Sequence, residues 1–287
     1  MADRTRFGPA GIPDRFKTLI ETVSDVPMLL HAEGLDAFEY PAVRWGQTAQ
    51  IKKENAELLG IRAKENDVIL SIHGSYYLNL FGKKEIVEAS KRRIIACAQA
   101  AHWMNAYVLV FHSGFYGKLE KRFALKKCIR ELENIVELME SYGIKDVLIG
   151  PETMGKASQF GSLEEIITIC ETIKQTKLVI DWGHLHARGK GSFKEKSDFR
   201  DIFNKIEYRL GTKALRNMHC HFSKVEFSEK GEKRHHILGN SDFGPDFRLL
   251  SELISEYEMH PVIICETPLL DYDAIEMRDT LQLTLKL

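Results

Sequence analysis

The chain alternates short, almost wholly apolar runs with longer stretches in which apolar residues recur every three or four positions. The short runs lack the polar alternation of a half-exposed strand, so they predict strands buried on both faces, as in a parallel sheet. There are eight such runs, at 7–9, 37–40, 68–73, 107–112, 147–152, 178–181, 215–220 and 262–266.

The longer stretches predict amphipathic helices between the strands. Ser162 followed by Glu165 has the pattern of an N-terminal capping box. Gly143 follows a helical stretch and suits the left-handed position beyond a helix end. The predicted helices cover 84–103, 122–141, 198–210, 246–257 and 273–285, with a further helix beginning after Ser162.

Regular alternation of strand and helix favours a parallel sheet. Eight such units favour closure into a (β/α)8 barrel, although the pattern alone leaves an open sheet as an alternative. A barrel of this kind takes ~250 residues, which suits a chain of 287 residues with no linker rich in Pro, Gly or Ser. We therefore predict an α/β fold, a single TIM-barrel domain that spans residues 1–287.

Composition excludes several classes of protein. With a net charge of -1 the chain is not a strongly basic nucleic-acid binder, so any DNA contact would need a local patch or bound metal. Five cysteines without a CxxC pair predict reduced thiols in the core. No run reaches the ~18 apolar residues of a membrane helix, and the N-terminus lacks a signal core. We expect a soluble, cytoplasmic protein with no membrane partner.

Side chains of the metal-ligand type lie at or near the ends of most predicted strands. They are His73, His112, Glu152, Asp181, His219 and Glu266. Taken singly, such a histidine is more often a hydrogen-bonded structural residue, and such a carboxylate often caps the next helix. The carboxyl ends of barrel strands meet at one face, however, and clustered buried charges are paired or coordinate metal. The set therefore predicts a metal centre.

The ligand types narrow the choice of metal. Mixed imidazole and carboxylate suits zinc, manganese or iron better than calcium or magnesium. Six ligands exceed the about four that one zinc takes, so two ions that share a carboxylate are expected, with Glu152 central in strand order. His184 and the pair His235 and His236 are further candidates, while the charged segment 226–234 predicts a mobile loop.

Several motifs resemble endonuclease IV, the family of zinc-dependent endonucleases that act at abasic sites, over nearly the whole chain. The most specific are HGSY at 73–76, FHSG at 111–114, ETMGKASQFG at 152–161, DWGH at 181–184, HCHFSK at 219–224, RHHILG at 234–239 and ET at 266–267. The resemblance reinforces the TIM-barrel prediction and implies three metal sites.

The resemblance also assigns roles to individual residues. It implies a first ion held by His73, His112 and Glu152, a second held by Glu152, Asp181, His219 and Glu266, and a third held by His184 and His235. It further implies that Glu152 bridges two ions, that Tyr76 lies near the abasic pocket, and that Arg44 is inserted into DNA. In the mechanism that we expect, Glu266 orients the nucleophile.

One departure from the family pattern affects the third site. The family has an aspartate two residues before its equivalent of His235, whereas this chain has Lys233, whose ammonium group cannot ligate a cation. Either Glu232 or His236 replaces the aspartate, or the third site is weak or empty. We therefore expect two divalent ions, of which Zn2+ fits the resemblance and Mn2+ or Fe2+ are alternatives. His186 and His221 are expected to have supporting roles.

The function implied by the resemblance is hydrolysis of the phosphodiester bond 5′ to an abasic site in double-stranded DNA, a step of DNA repair, and we expect a monomer. The alternative is a xylose-isomerase-like sugar isomerase or epimerase, which would need only Glu152, Asp181, His219 and Glu266. A third interpretation is a DNA-damage binder whose metal ions anchor phosphate without catalysis.

Overall fold

Eight short parallel strands form a barrel in the computed structural model, which describes residues 4–286. The barrel strands are β1 (Arg6–Pro9), β2 (Ala37–Pro41), β3 (Ile69–His73), β4 (Val108–Phe111), β5 (Leu148–Pro151), β6 (Val179–Asp181), β7 (His219–Phe222) and β10 (Val262–Cys265). They pair in the orders β1-β10-β7-β6 and β2-β3-β4-β5. Parallel bridges join Ala10 to Glu39 and Glu152 to Val179, so the two runs of strands close into one barrel.

Helices surround the barrel and pack their apolar faces against the strands. Besides short 3-10 turns at Asp14–Phe16 and Val23–Asp25, they are α1 (Val26–Ala32), α2 (Lys53–Glu65), α3 (Lys84–Trp103), α4 (Lys121–Ser141), α5 (Leu163–Thr172), α6 (Trp182–Arg188), α7 (Lys196–Leu210), α8 (Thr212–Arg216), α9 (Phe247–Glu256) and α10 (Asp271–Thr284). None of them, within residues 4–286, is both long and apolar enough to cross a membrane.

The structure confirms the predicted α/β barrel and most of its elements. Seven of the eight predicted strands lie within one residue of their predicted bounds, and α3 has the bounds predicted from its apolar spacing. The capping box at Ser162 and Glu165 is present, and Gly143 has a φ of 79° beyond the end of α4. The five cysteines are free thiols, four of them buried.

The prediction for the seventh strand was wrong. Residues Thr212–Arg216 form α8, and β7 begins only at His219. The apolar Leu215 misled the prediction because it is buried from a helix rather than from a strand. The true bounds of β7 were not predicted, because the strand places two histidines, His219 and His221, inside the barrel, where apolar residues are usual.

The charged segment predicted as a mobile loop is instead an antiparallel hairpin. Its strands are β8 (Lys224–Ser228) and β9 (Gly231–His236), and both pack against α6. The buried Val225 anchors the hairpin. The hairpin was hard to predict from the sequence because most of its remaining residues are charged.

Candidate metal centre

Five of the predicted ligand-type side chains lie where their strands end. They are His73 at the end of β3, His112 directly after β4, Glu152 directly after β5, Asp181 at the end of β6 and Glu266 directly after β10. These strand ends meet at one mouth of the barrel, beside an open cleft of about 450 Å³. The cleft lining includes Tyr76, His112, Lys156, His184, Glu232, His235 and Glu266.

The first group of potential ligands is the predicted set of His73, His112 and Glu152. Nε2 of His73 lies 3.5 Å and Nε2 of His112 lies 3.0 Å from Oε2 of Glu152. That carboxylate oxygen and Nε2 of His73 are buried, yet neither has a hydrogen-bond partner among residues 4–286. The residues therefore fit a cation, which would satisfy both atoms at once.

The tautomer of His73 supports the same conclusion. Its Nδ1 lies 2.9 Å from the carbonyl oxygen of Gly74, a contact in which the ring nitrogen must donate. In the neutral ring Nε2 then carries a lone pair that faces the Glu152 carboxylate. Two electron-rich atoms aimed at each other are unfavourable unless a cation or a proton lies between them.

The second group consists of Glu152, Asp181, His221 and Glu266. Nδ1 of His221 lies 3.0 Å from Oε1 of Glu152 and 3.3 Å from Oε1 of Glu266. Burial, together with the charges of Glu266 and Glu152, raises the pKa of Asp181 to about 7. Three carboxylates this close repel one another in a buried site, and a cation would relieve the repulsion.

The structure brings His221 to this group, whereas the sequence prediction named His219. His219 is the first residue of β7, and its ring contacts Glu39 and Tyr107 deeper in the barrel. Side chains two residues apart share a face of a strand, so His221 points the same way but lies nearer the mouth. The prediction named His219 because it placed the strand at 215–220, and the HCH pattern, which puts both histidines on one face, does not say which of them lies nearer the mouth.

The third group contains the predicted His184 and His235, joined by Glu232. Oε2 of Glu232 lies 3.0 Å from Nε2 of His184, and its Oε1 lies 3.3 Å from Nε2 of His235. Although burial opposes it, contact with these two histidines lowers the pKa of Glu232 below its usual value. Of the alternatives open at the level of sequence, the structure favours Glu232 as the replacement for the missing aspartate.

A β-bulge in the hairpin explains how Glu232 reaches the third group. Phe227 pairs with Glu232 and Glu226 pairs with Arg234, so Lys233 is an extra residue between two pairs. The extra residue puts Glu232 and His235 on one face, although residues three apart would face opposite ways in a regular strand. Lys233 faces the other side, where its ammonium group pairs with Glu226.

Two other histidines near the centre have packing roles. The buried His186 packs against Phe193 and Phe227, and its Nδ1 accepts the backbone N–H of Phe193. The ring of His236 stacks on Phe243 at a centroid distance of 4.2 Å. Neither joins a group of potential ligands in the described part of the chain.

Of the two predicted DNA-binding residues, one lines the cleft and the other lies outside it. Tyr76 lines the cleft, is 55% exposed, and has its ring centroid 5.4 Å from those of His73 and His112. Arg44 is exposed on the loop after β2 and is not among the residues that line the cleft. Any contact between Arg44 and a ligand in the cleft would therefore require a ligand that extends well beyond it.

Comparison with known proteins identifies the family. Residues 28–283 match the family described as xylose isomerase-like TIM barrel. The chain belongs to this family. One relative is an uncharacterized protein of Methanocaldococcus jannaschii, 32% identical over 274 residues that cover 94% of each chain. Another is a probable endonuclease 4 of a Sulfurihydrogenibium species, 25% identical over 58% of this chain and 61% of the relative.

Two solved structures resemble the chain in fold. Endonuclease IV from Thermus thermophilus has a TM-score of 0.68 and 15% identity, with 91% of this chain and 94% of that one covered. A D-tagatose 3-epimerase-like protein has a TM-score of 0.66 and 19% identity, with 94% and 95% covered. The family is one of enzymes, and its fold occurs both in a protein named as an endonuclease and in one named as epimerase-like.

Proposed function

We propose that this chain is a metal-dependent nuclease that hydrolyses the phosphodiester bond 5′ to an abasic site in double-stranded DNA. The observation that carries the proposal is that three of the four groups of potential ligands in residues 4–286 adjoin one another at the mouth of the barrel, and that two of these three share Glu152. A sugar isomerase or epimerase would need only the group of Glu152, Asp181, His221 and Glu266. The additional groups suit a phosphate, whose several charged oxygens can be held by more than one cation.

The donor atoms favour zinc as the metal, with manganese or iron as alternatives. Each group combines imidazole nitrogen with carboxylate oxygen, and the first and third groups have two histidines for each carboxylate. Divalent ions held there would supply Lewis acidity toward the phosphate and would lower the pKa of water. Because His184, Glu232 and His235 form a third group of potential ligands, the proposal includes a third ion.

The two catalytic carboxylates would have different tasks. The side chain of Glu152 is fully buried, whereas that of Glu266 is 14% exposed and lines the cleft. Glu152 would hold the ligand groups together. Glu266 can reach a water molecule in the cleft, so it would accept a hydrogen bond from the attacking water and orient it toward phosphorus.

Substrate contacts would come from the mouth of the cleft. Although the Tyr76 side chain is half exposed, partial desolvation of its hydroxyl in the cleft, with the nearby charge of Glu266, raises the pKa of that hydroxyl, so it stays protonated and can donate to a phosphate or sugar oxygen. Arg44 would enter the duplex, whose length allows it to contact both the cleft and the loop after β2. An abasic nucleotide leaves the stack at low cost because it has no base to unstack.

Incision of a synthetic duplex that carries one tetrahydrofuran abasic analogue tests the proposal. We expect a zinc-dependent nick that leaves a 3′-hydroxyl end and that a chelator abolishes. Glu266→Gln should lose the nick, while Glu131→Gln, which changes a carboxylate of α4 outside the barrel, should retain it. Absence of a chelator-sensitive nick would contradict the proposal, and conversion of a ketose by the same preparation would favour the epimerase.

A further inference from the structure

A second cluster of polar side chains fills the barrel interior beneath the metal centre. Glu39 of β2, Ser71 of β3, and His219 and His221 of β7 are each no more than 1% exposed, and Tyr107 lies beside them just before β4. Apart from His221, none of these residues has a part in the proposed hydrolysis. Burying a carboxylate is costly unless hydrogen bonds satisfy it, so the contacts of Glu39 require an explanation.

One oxygen of Glu39 is held by a chain of hydrogen bonds. Oγ of Ser71 donates to Oε2 of Glu39 at 2.8 Å, and Nε2 of His219 lies 3.2 Å from the same oxygen. The hydroxyl of Tyr107 lies 2.6 Å from Nδ1 of His219. Burial raises the pKa of Tyr107, so its hydroxyl keeps the proton and donates to Nδ1. His219 therefore carries its own proton on Nε2 and donates it to Glu39.

The other oxygen of Glu39 faces His221. Oε1 lies 3.0 Å from Nε2 of His221, outside the geometry of a hydrogen bond, and neither atom has a hydrogen-bond partner among residues 4–286. Glu39, His219 and His221 also form a fourth group of potential ligands, but His219 has no free lone pair for a cation, because Nδ1 accepts from Tyr107 and Nε2 carries a proton. Nδ1 of the same ring faces Glu152 and Glu266. The ring thus lies between the carboxylate of Glu39 on one side and those of Glu152 and Glu266 on the other. Glu39 belongs to the interior cluster, whereas Glu152 and Glu266 belong to the second ligand group.

We propose that Glu39 is a positioning residue that keeps a proton on Nε2 of His221 and thereby presents the lone pair of Nδ1 to a metal ion. Histidine ligands commonly donate their second ring N–H to a carboxylate, which fixes the tautomer and the orientation of the ring. Ser71 and the Tyr107–His219 pair hold that carboxylate in place. The inference rests on the metal-binding part of the proposed function and is independent of DNA cleavage.

Metal affinity of the Glu39→Gln variant tests this role. Zinc affinity is measured by competition with a chromophoric chelator, and the coordination of bound Co2+ by its visible absorption bands. Loss of such a partner typically weakens metal binding about 10–100-fold, so Glu39→Gln should bind one ion that much more weakly and shift the cobalt bands. Glu131→Gln is the matched control, since Glu131 is also buried but pairs with Lys91 on the outer helices. Wild-type affinity and cobalt bands in Glu39→Gln would overturn the proposal.

A second measurement uses the unaltered chain and so does not depend on the variant's folding. Long-range 1H–15N spectra of the zinc-loaded protein report which ring nitrogen of each histidine is protonated, and the His221 signals are assigned by their loss in His221→Asn. We expect the proton on Nε2, and a proton on Nδ1 refutes the role of Glu39. A protein that binds zinc as described but leaves abasic DNA intact refutes the nuclease alone. A protein that binds neither zinc nor cobalt refutes both.

Discussion

At the scale of single residues, the position of a side chain along its strand decides whether it can join the metal centre. His73, His112 and Glu152 could be predicted because the apolar runs before them define where β3, β4 and β5 end. His219 and His221 could not be told apart, because β7 lacks an apolar run whose end could be read. The identity of the ligand therefore depends on where β7 begins, and the structure places that point at His219, after α8.

We predict that His221→Ala removes one metal ion and lowers activity more than His219→Ala does. Nδ1 of His221 faces two carboxylates of the second group, whereas His219 contacts only the interior cluster. Loss of a direct ligand should cost at least about 100-fold in affinity, the upper end of what indirect partners contribute. Metal counting on both purified variants checks the prediction, and an intact count in His221→Ala would show that the assignment is wrong.

Among the secondary-structure elements, the hairpin is where a β-bulge compensates for Lys233, the residue that replaces an aspartate of the family pattern. The sequence identified Lys233 as the wrong residue for a ligand and left Glu232 as one alternative. It could not reveal the bulge, because the bulge depends on how Phe227 and Glu226 pair with the opposite strand. Register across a hairpin is a property of two strands together.

We predict that Glu232→Ala lowers the metal count by one, whereas Lys233→Asp leaves the count unchanged. The Glu232 carboxylate contacts both His184 and His235, while the Lys233 side chain lies on the opposite face and pairs with Glu226. For the same reason the double variant Glu232→Ala/Lys233→Asp should not regain the ion. Elemental analysis after dialysis measures all three counts, and a gain of metal in Lys233→Asp would count against the bulge explanation.

At the scale of the whole molecule, the barrel follows from the alternation of apolar runs and amphipathic helices, and both are local patterns. The polar interior around Glu39 and Ser71 was not predictable, since its hydrogen bonds join side chains from different strands. The barrel gathers charged side chains from most of its strands into one end. Bound ions should therefore contribute to the stability of the entire fold.

We predict that removing the metal lowers the melting temperature. An ion present at 1,000 times its Kd stabilises a folded protein by about 4 kcal/mol, which for a chain of this size corresponds to on the order of 10 °C. Thermal unfolding followed by circular dichroism, with zinc and with excess chelator, measures the difference. Equal melting temperatures under both conditions would mean that these carboxylates and imidazoles are not stabilised by ions.

Glu152 belongs to both the first and the second ligand group, and its Oε1 also lies 3.4 Å from Nδ1 of His184 in the third. Ions at neighbouring positions would consequently share the single negative charge of Glu152. They would also repel one another, because each is a cation. Thermodynamic reciprocity then requires that filling either position alter the affinity of the other by an equal factor. Successive ions should load with unequal, interdependent affinities, and a protein prepared in scarce zinc would hold a partly filled centre.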